Sequence, residues 1–158
     1  MTADAKTDVE TVERVIPAPP EKIFELLVDP KRHTDIDGSG SVKDPKGETE
    51  RLMLGSKFGM HMKMGLPYSM ESTVVEFEEG RRIAWQSRPT GFGRRFGGGR
   101  IWRYELEPVD GGTRVRESWD ISQEVAGSKW LVGLDGAHKR TRESMTKTLE
   151  RIEELVKA

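Results

Sequence analysis

Residues Ser128 to Ala158 read as one long amphipathic helix that the rest of the chain has to cover. Leu134, Ala137, Thr141, Met145, Leu149, Ile152 and Val156 recur every three or four positions, and charged residues such as Arg140, Glu143, Lys147, Glu150 and Glu154 fill most of the others. The apolar stripe is unbroken from Met145 to Val156, but its beginning carries His138 and Thr141, with Gly133 and Gly136 near the first turns. Either the first half of the helix looks into a space, where small and polar side chains are at home, or its amino end is frayed or kinked, since each glycine costs about 1 kcal/mol relative to alanine in a helix.

A chain of 158 residues suits one domain, and residues 9–158 are expected to form it behind a loose tail, 1–8. Hydrophobic residues make up only 34% and charged residues another 34%, so a core requires strict periodicity. Acids (27) and bases (26) nearly cancel, which removes the field of a dedicated nucleic-acid binder. The absence of cysteine rules out disulfides, a thiol nucleophile and thiolate metal sites. No basic start precedes an apolar run, and no segment approaches the ~20 apolar residues of a membrane span. The expectation is a soluble cytoplasmic protein without stable membrane anchoring, monomeric or homodimeric.

Along the chain, Val9 to Pro17 reads as a strand, Glu21 to Val28 as a helix set up by Pro19-Pro20 and stopped by Pro30, and Lys31 to Ile36 as a second short helical piece. From Ser41 to Ile121 the period is two. Strands are predicted at Ser41–Asp44, Glu50–Leu54, Lys57–Met64, Tyr68–Phe77, Arg82–Arg88, Arg100–Glu107 and Thr113–Ile121. The short connections between them join antiparallel neighbours, because a parallel crossover needs a dozen or more residues. The fold class is therefore α+β: a curved antiparallel meander burying one face on the final helix.

Alternation sorts each strand into two faces. Phe58, Met60, Met62 and Met64 share one face of their strand, with Met53 and Met70 close in sequence, so six of the seven methionines, Met145 included, are expected inside. Thioethers suit permissive binding surfaces, but the same stripe can be ordinary core. Trp102, Tyr104 and Leu106 point inward on the next-to-last strand, Trp85 on the one before it, and Val115, Glu117, Trp119 and Ile121 on the last. Glu117 is out of character, since a carboxylate in such a slot needs a partner or water. Its partner is an arginine, the Tyr104 hydroxyl or His138, giving a polar spot in an apolar pocket, or else Glu117 is a structural ion pair or reaches solvent at the sheet's end.

Residues Gly91 to Arg100 lack the following helix of a phosphate loop and the length of a nucleic-acid-binding glycine-arginine segment. They read as a rim hairpin in which Phe92 and Phe96 are able to fold over an opening and Arg94 or Arg95 to meet an anionic group, with Leu66 and Tyr68 in a second rim loop. Three histidines on three different elements do not make a metal site.

The segment Val12-Glu13-Arg14-Val15-Ile16-Pro17-Ala18-Pro19-Pro20-Glu21-Lys22-Ile23-Phe24-Glu25-Leu26-Leu27-Val28-Asp29-Pro30 resembles the opening of the helix-grip superfamily. That superfamily (SRPBCC, START-like) includes steroidogenic lipid-transfer domains, the major birch pollen allergen and bacterial polyketide cyclase/dehydrase proteins. The likeness continues through His33 to Gly40, Thr113 to Asp120 and the terminal helix. It implies a seven-stranded antiparallel sheet wrapped around the last helix with a hydrophobic cavity between them, Glu50–Leu54 and Lys57–Met64 forming one bent strand. Fold does not settle function here. The expected role is binding of a small hydrophobic or amphipathic ligand, without a cofactor, against Phe58, Met60, Met62, Met64, Met70 and Trp85. Trp102, Tyr104, Trp119, Leu134, Thr141 and Met145 would complete the wall, and Glu117 and His138 would orient the polar end. The alternatives are a cyclase or dehydratase in which Glu117 or His138 moves a proton, and a protein-interaction module.

Overall fold

The computed structural model describes residues 8–46, 50–64, 66–90, 98–124 and 136–157. Strand β1 (Val9–Ile16) is stopped by the prolines that follow, and Pro20 opens helix α1 (Pro20–Val28) because its fixed φ matches the first helical turn. Asp29 accepts a hydrogen bond from the Lys31 N–H at 3.0 Å and begins a 3-10 turn, Pro30–Arg32, that leads directly into α2 (His33–Ile36). Then come β2 (Val42–Lys46), β3 (Lys57–Met64), β4 (Leu66–Glu78), β5 (Arg82–Pro89), β6 (Arg100–Val109), β7 (Gly112–Asp120) and the terminal helix α3 (Ala137–Lys157).

The seven strands form one antiparallel sheet in the order β1-β7-β6-β5-β4-β3-β2. Short turns make this possible, such as Asp110-Gly111 between the paired Val109 and Gly112, where Gly111 takes a φ of 84°. Register shifts between Val42 and Pro45 on β2 and between Val74 and Glu76 on β4 put extra residues on one strand of a pair. Such bulges bend a sheet and increase its twist, and the sheet curls around α3. The outward face is laced by Arg103 on Glu76, Arg82 on Glu105, Arg114 on Glu107 and Arg116 on Glu13.

The carboxyl half of α3 is core. Leu149, Ile152 and Val156 are buried with Ile23, Phe24 and Leu27 of α1 and with Ile16, Val115, Leu106 and Ile83 of the sheet. Arg14 on β1 grips Glu153 through Nε at 3.1 Å and a terminal nitrogen at 2.7 Å, and Lys22 Nζ donates to the Val156 carbonyl at 2.6 Å. The loop after α2 closes on the middle of the helix: the Gly38 N–H donates to Thr148 Oγ1 at 2.9 Å, and a Cβ at Gly38 would lie 2.2 Å from the Ser144 carbonyl oxygen. Only glycine permits this approach.

Three expectations need correction. Glu50–Leu54 is not a strand: Leu52 is buried and its N–H bonds the Val28 carbonyl at 2.8 Å, while Arg51 turns out to Glu25 and Glu79. No strand register includes this segment, and the pairing of β3 with β4 reaches back only to Lys57, so the two stretches do not form one bent strand. Met53 is consequently 64% exposed rather than inside. Leu66 to Tyr68 belong to β4, paired with Met64, Lys63 and Met62, and not to a rim loop. The helix start at Ser128, Leu134, the gate residues Phe92, Arg95 and Phe96, and most of the tail (residues 1–7) lie outside the described residues.

Candidate functional site

Period-two alternation turns Phe58, Met60 and Met62 of β3, Met70 and Ser72 of β4, Trp85 and Ser87 of β5, Trp102 and Tyr104 of β6, and Glu117 and Trp119 of β7 toward the concave side. Across from them α3 presents Ala137, Arg140, Thr141, Ser144, Met145 and Thr148. Large apolar side chains therefore stop at Met145, and between the amino half of the helix and the sheet lies a partly enclosed hollow of about 430 Å³. His33, Ile36, Asp37, Ser39, Ser41 and Val42 from α2 and the chain after it complete its wall, with Arg100 from β6. The polar start of the helix stripe faces this space.

Glu117 is the buried carboxyl in it. It is 2% exposed, its Oε1 accepts a hydrogen bond from the Tyr104 hydroxyl at 2.8 Å, and its Oε2 has no partner among the described residues. Burial, reinforced by the negative charge of Asp37 and only partly offset by the Tyr104 hydrogen bond, pushes its carboxyl up to about 8. Burial and the adjoining Glu117 likewise hold the Tyr104 phenol well above its usual range. Of the three partners expected for Glu117, the hydroxyl is the one the fold supplies. Ser72 and Ser87, facing each other across β4 and β5, share a buried hydrogen bond of 2.7 Å.

His33 went unrecognised as part of the wall. Its Nε2 lies 2.8 Å from the Leu27 carbonyl, which can only accept, so Nε2 carries the proton and the neutral ring keeps Nδ1 as a lone pair. Burial pushes its pKa below the usual histidine range. The ring stacks on Trp85 (centroids 4.9 Å, planes 20° apart) and meets Phe58 edge-on at 5.4 Å, and Trp85 leans on Tyr104 at 5.6 Å. One sequence signal was present: a histidine just past a proline-stopped helix can donate to a carbonyl that the helix end leaves unbonded.

His138 is placed differently from the expectation. Its Nδ1 is 3.0 Å from Glu10 Oε1, its ring stands edge-on to Trp119 at 5.2 Å, and it is not among the residues around the hollow. Glu117 and His138 are therefore not a facing acid and base. Arg100 Nε donates to Glu124 Oε1 at 2.7 Å, and Glu124 Oε2 accepts from the Gly98 N–H at 3.1 Å, which fixes the cation at the edge of the space. Met64, Leu66 and Tyr68 lie in the β3–β4 hairpin. Among the described residues no cluster of three or more histidines and carboxylates could hold a metal, and no helix is long and apolar enough to cross a membrane.

Comparison with known proteins agrees with this architecture. An uncharacterized protein of Mycobacterium tuberculosis is 36% identical over 107 residues, 66% of this chain, and the chain spans only 44% of that relative's length. A solved Mycobacterium smegmatis protein superposes with a TM-score of 0.72 at 17% identity, covering 99% of this chain and 95% of its own. A Chromobacterium violaceum protein does so at 0.70 and 17% identity, covering 96% and 98%. At such identities these two structures speak for the fold alone. The profile of the family described as polyketide cyclase / dehydrase and lipid transport matches residues 8–157, and the chain belongs to that family.

Proposed function

We propose that residues 9–158 act as one unit that binds a small hydrophobic or amphipathic molecule, of the lipid or polyketide-like kind, in the hollow under α3. The observation that carries this reading is the hollow itself: about 430 Å³, with rings and thioethers on the sheet side and hydroxyls and charged groups among its lining. Ligand sites typically have this size and make-up. Burying about 200 Å² of apolar guest surface at ~25 cal/mol per Å² contributes about 5 kcal/mol before the costs of association. Met60, Met62 and Met70 lend the wall adaptability, since unbranched thioethers refill irregular gaps. Carriage is favoured over catalysis because His138 is engaged by Glu10, which removes the acid/base pair that a cyclase reading relied on.

Native mass spectrometry of the purified protein is expected to show a small-molecule adduct that disappears on denaturation. Thr141→Trp, which places an indole into the space from a partly exposed helix position, should remove the adduct while leaving the fold intact. An adduct that survives this substitution, or a wild-type protein that is bare and takes up no apolar probe, overturns the reading.

A further inference from the structure

The polar feature of the hollow that hydrogen bonding within the protein leaves open is Glu117 Oε2. It is buried, it belongs to a residue of the wall, and no donor among the described residues reaches it. As a carboxylate, this oxygen would be a bare negative charge in an apolar setting, with the Asp37 carboxylate also on the wall. Because the Tyr104 hydroxyl already donates to Oε1, the proton of the neutral acid belongs on Oε2. An O–H at that position has no acceptor among the described residues.

Glu117 is also set among flat faces. Its cross-strand partner is Tyr104, which leans on Trp85, and two residues along β7 stands Trp119, paired with Trp102 at a ring separation of 6.4 Å. We infer that Glu117 is the specificity-determining donor of the site, and that the guest is a flat, uncharged molecule whose carbonyl oxygen accepts the Oε2–H while its ring system lies among Trp85, Trp102, Tyr104 and Trp119. This rests on the reading of the hollow as a ligand site and names the class of ligand it takes. A simple acyl chain offers no ring to stack on these faces, and an anionic head would bring a second charge into a place where burial already disfavours one. Arg100 and Arg140, on the wall away from full burial, leave room for a polar trailing end.

Anthracene and anthraquinone share a tricyclic skeleton and differ in two carbonyl oxygens, so their affinity ratio isolates the donor. Binding is read by quenching of tryptophan fluorescence in wild type, Glu117→Gln and Glu117→Leu. At about pH 6 the wild type should favour anthraquinone, Gln should keep the preference through its N–H, and Leu should lose it. At pH 9, one unit above the value of about 8 for Glu117, wild-type affinity for anthraquinone should fall about tenfold while that of Gln stays level. The other charged or titratable groups around the space are Tyr104 on β6, His33 on α2, Asp37 after it, Arg100 on β6 and Arg140 on α3. All of them remain in the Gln variant, so a pH response they caused would persist there. If neither probe binds, the ligand-site reading falls and takes this inference with it. If both bind with one ratio in all three proteins, or wild type and Gln share one pH profile, the site stands and the donor role is wrong. Should Leu fail to fold, the Gln and pH arms still decide.

Discussion

Glu117→Gln should flatten the pH dependence of stability. In the unfolded chain this carboxyl ionises near its ordinary 4.5, whereas in the fold it holds its proton up to about 8. Between those limits the folded protein keeps a proton that the unfolded chain has released, so raising the pH favours unfolding by up to ~1.4 kcal/mol per unit. The contribution is fully present below 4.5 and lost as the pH rises through about 8, a total of roughly 5 kcal/mol over the 3.5 units. The other shifted groups act outside the range from 6.5 to 8, Tyr104 and the arginines above it and the rest below. His33, depressed by burial, costs stability as the pH falls below 6.5, and Glu76 and Glu153, depressed by Arg103 and Arg14, do so below 4.5. The window from 6.5 to 8 therefore isolates Glu117, and its 1.5 units are worth about 2 kcal/mol. Urea unfolding followed by tryptophan fluorescence at constant ionic strength should show this decline in wild type and a level line in Gln. The amide imposes its own offset, but an offset does not vary with pH. Parallel slopes for the two proteins would refute the buried, protonated acid.

Tyr104→Phe removes the hydrogen bond that favours the Glu117 carboxylate, so the same decline should move to higher pH, read from the midpoint of the stability profile. Gly38→Ala should cost at least ~3 kcal/mol, lowering Tm by about 6–12 °C in calorimetry, because the new Cβ would meet α3 backbone that cannot yield, 2.2 Å from the Ser144 oxygen and 2.6 Å from the Thr148 nitrogen. Leu149→Ala should cost about 2–5 kcal/mol in urea unfolding, whereas Arg14→Ala should cost no more than ~1 kcal/mol, since that ion pair is partly solvated.

Local rules carried the sequence reading far where the deciding forces are local. Alternation placed Phe58, Met60, Trp102, Tyr104, Glu117 and Trp119 on the concave face, and the prolines around α1 marked its start and stop. It failed where neighbours decide. Glu50–Leu54 has a strand-like pattern, yet no strand register includes it, and where a register ends is a property of the whole sheet. His138 and His33 exchanged roles for the same reason. His138 follows the apolar stripe, but Glu10 on β1 comes within reach of it only once the sheet has curled. His33 sits on a four-residue helix with no periodicity to read, and its burial comes from Trp85 and Phe58, more than twenty positions away.

The division of α3 into a packed half and an open half explains why the site is where it is. From Leu149 onward, branched side chains meet α1 and the sheet and exclude every guest. Before Met145 the helix offers Ala137, Arg140, Thr141 and Ser144, none of them an apolar side chain that could fill the gap, while the Gly38–Thr148 and Arg14–Glu153 contacts tie the rest of the helix to the loop after α2 and to β1. Shortening those side chains costs core stability that the carboxyl half supplies, so the hollow is sustained by packing elsewhere along the same helix. A buried acid in it weakens the fold at alkaline pH, and Oε2, without a partner among the described residues, is the place where that cost would be recovered when a guest with an acceptor arrives.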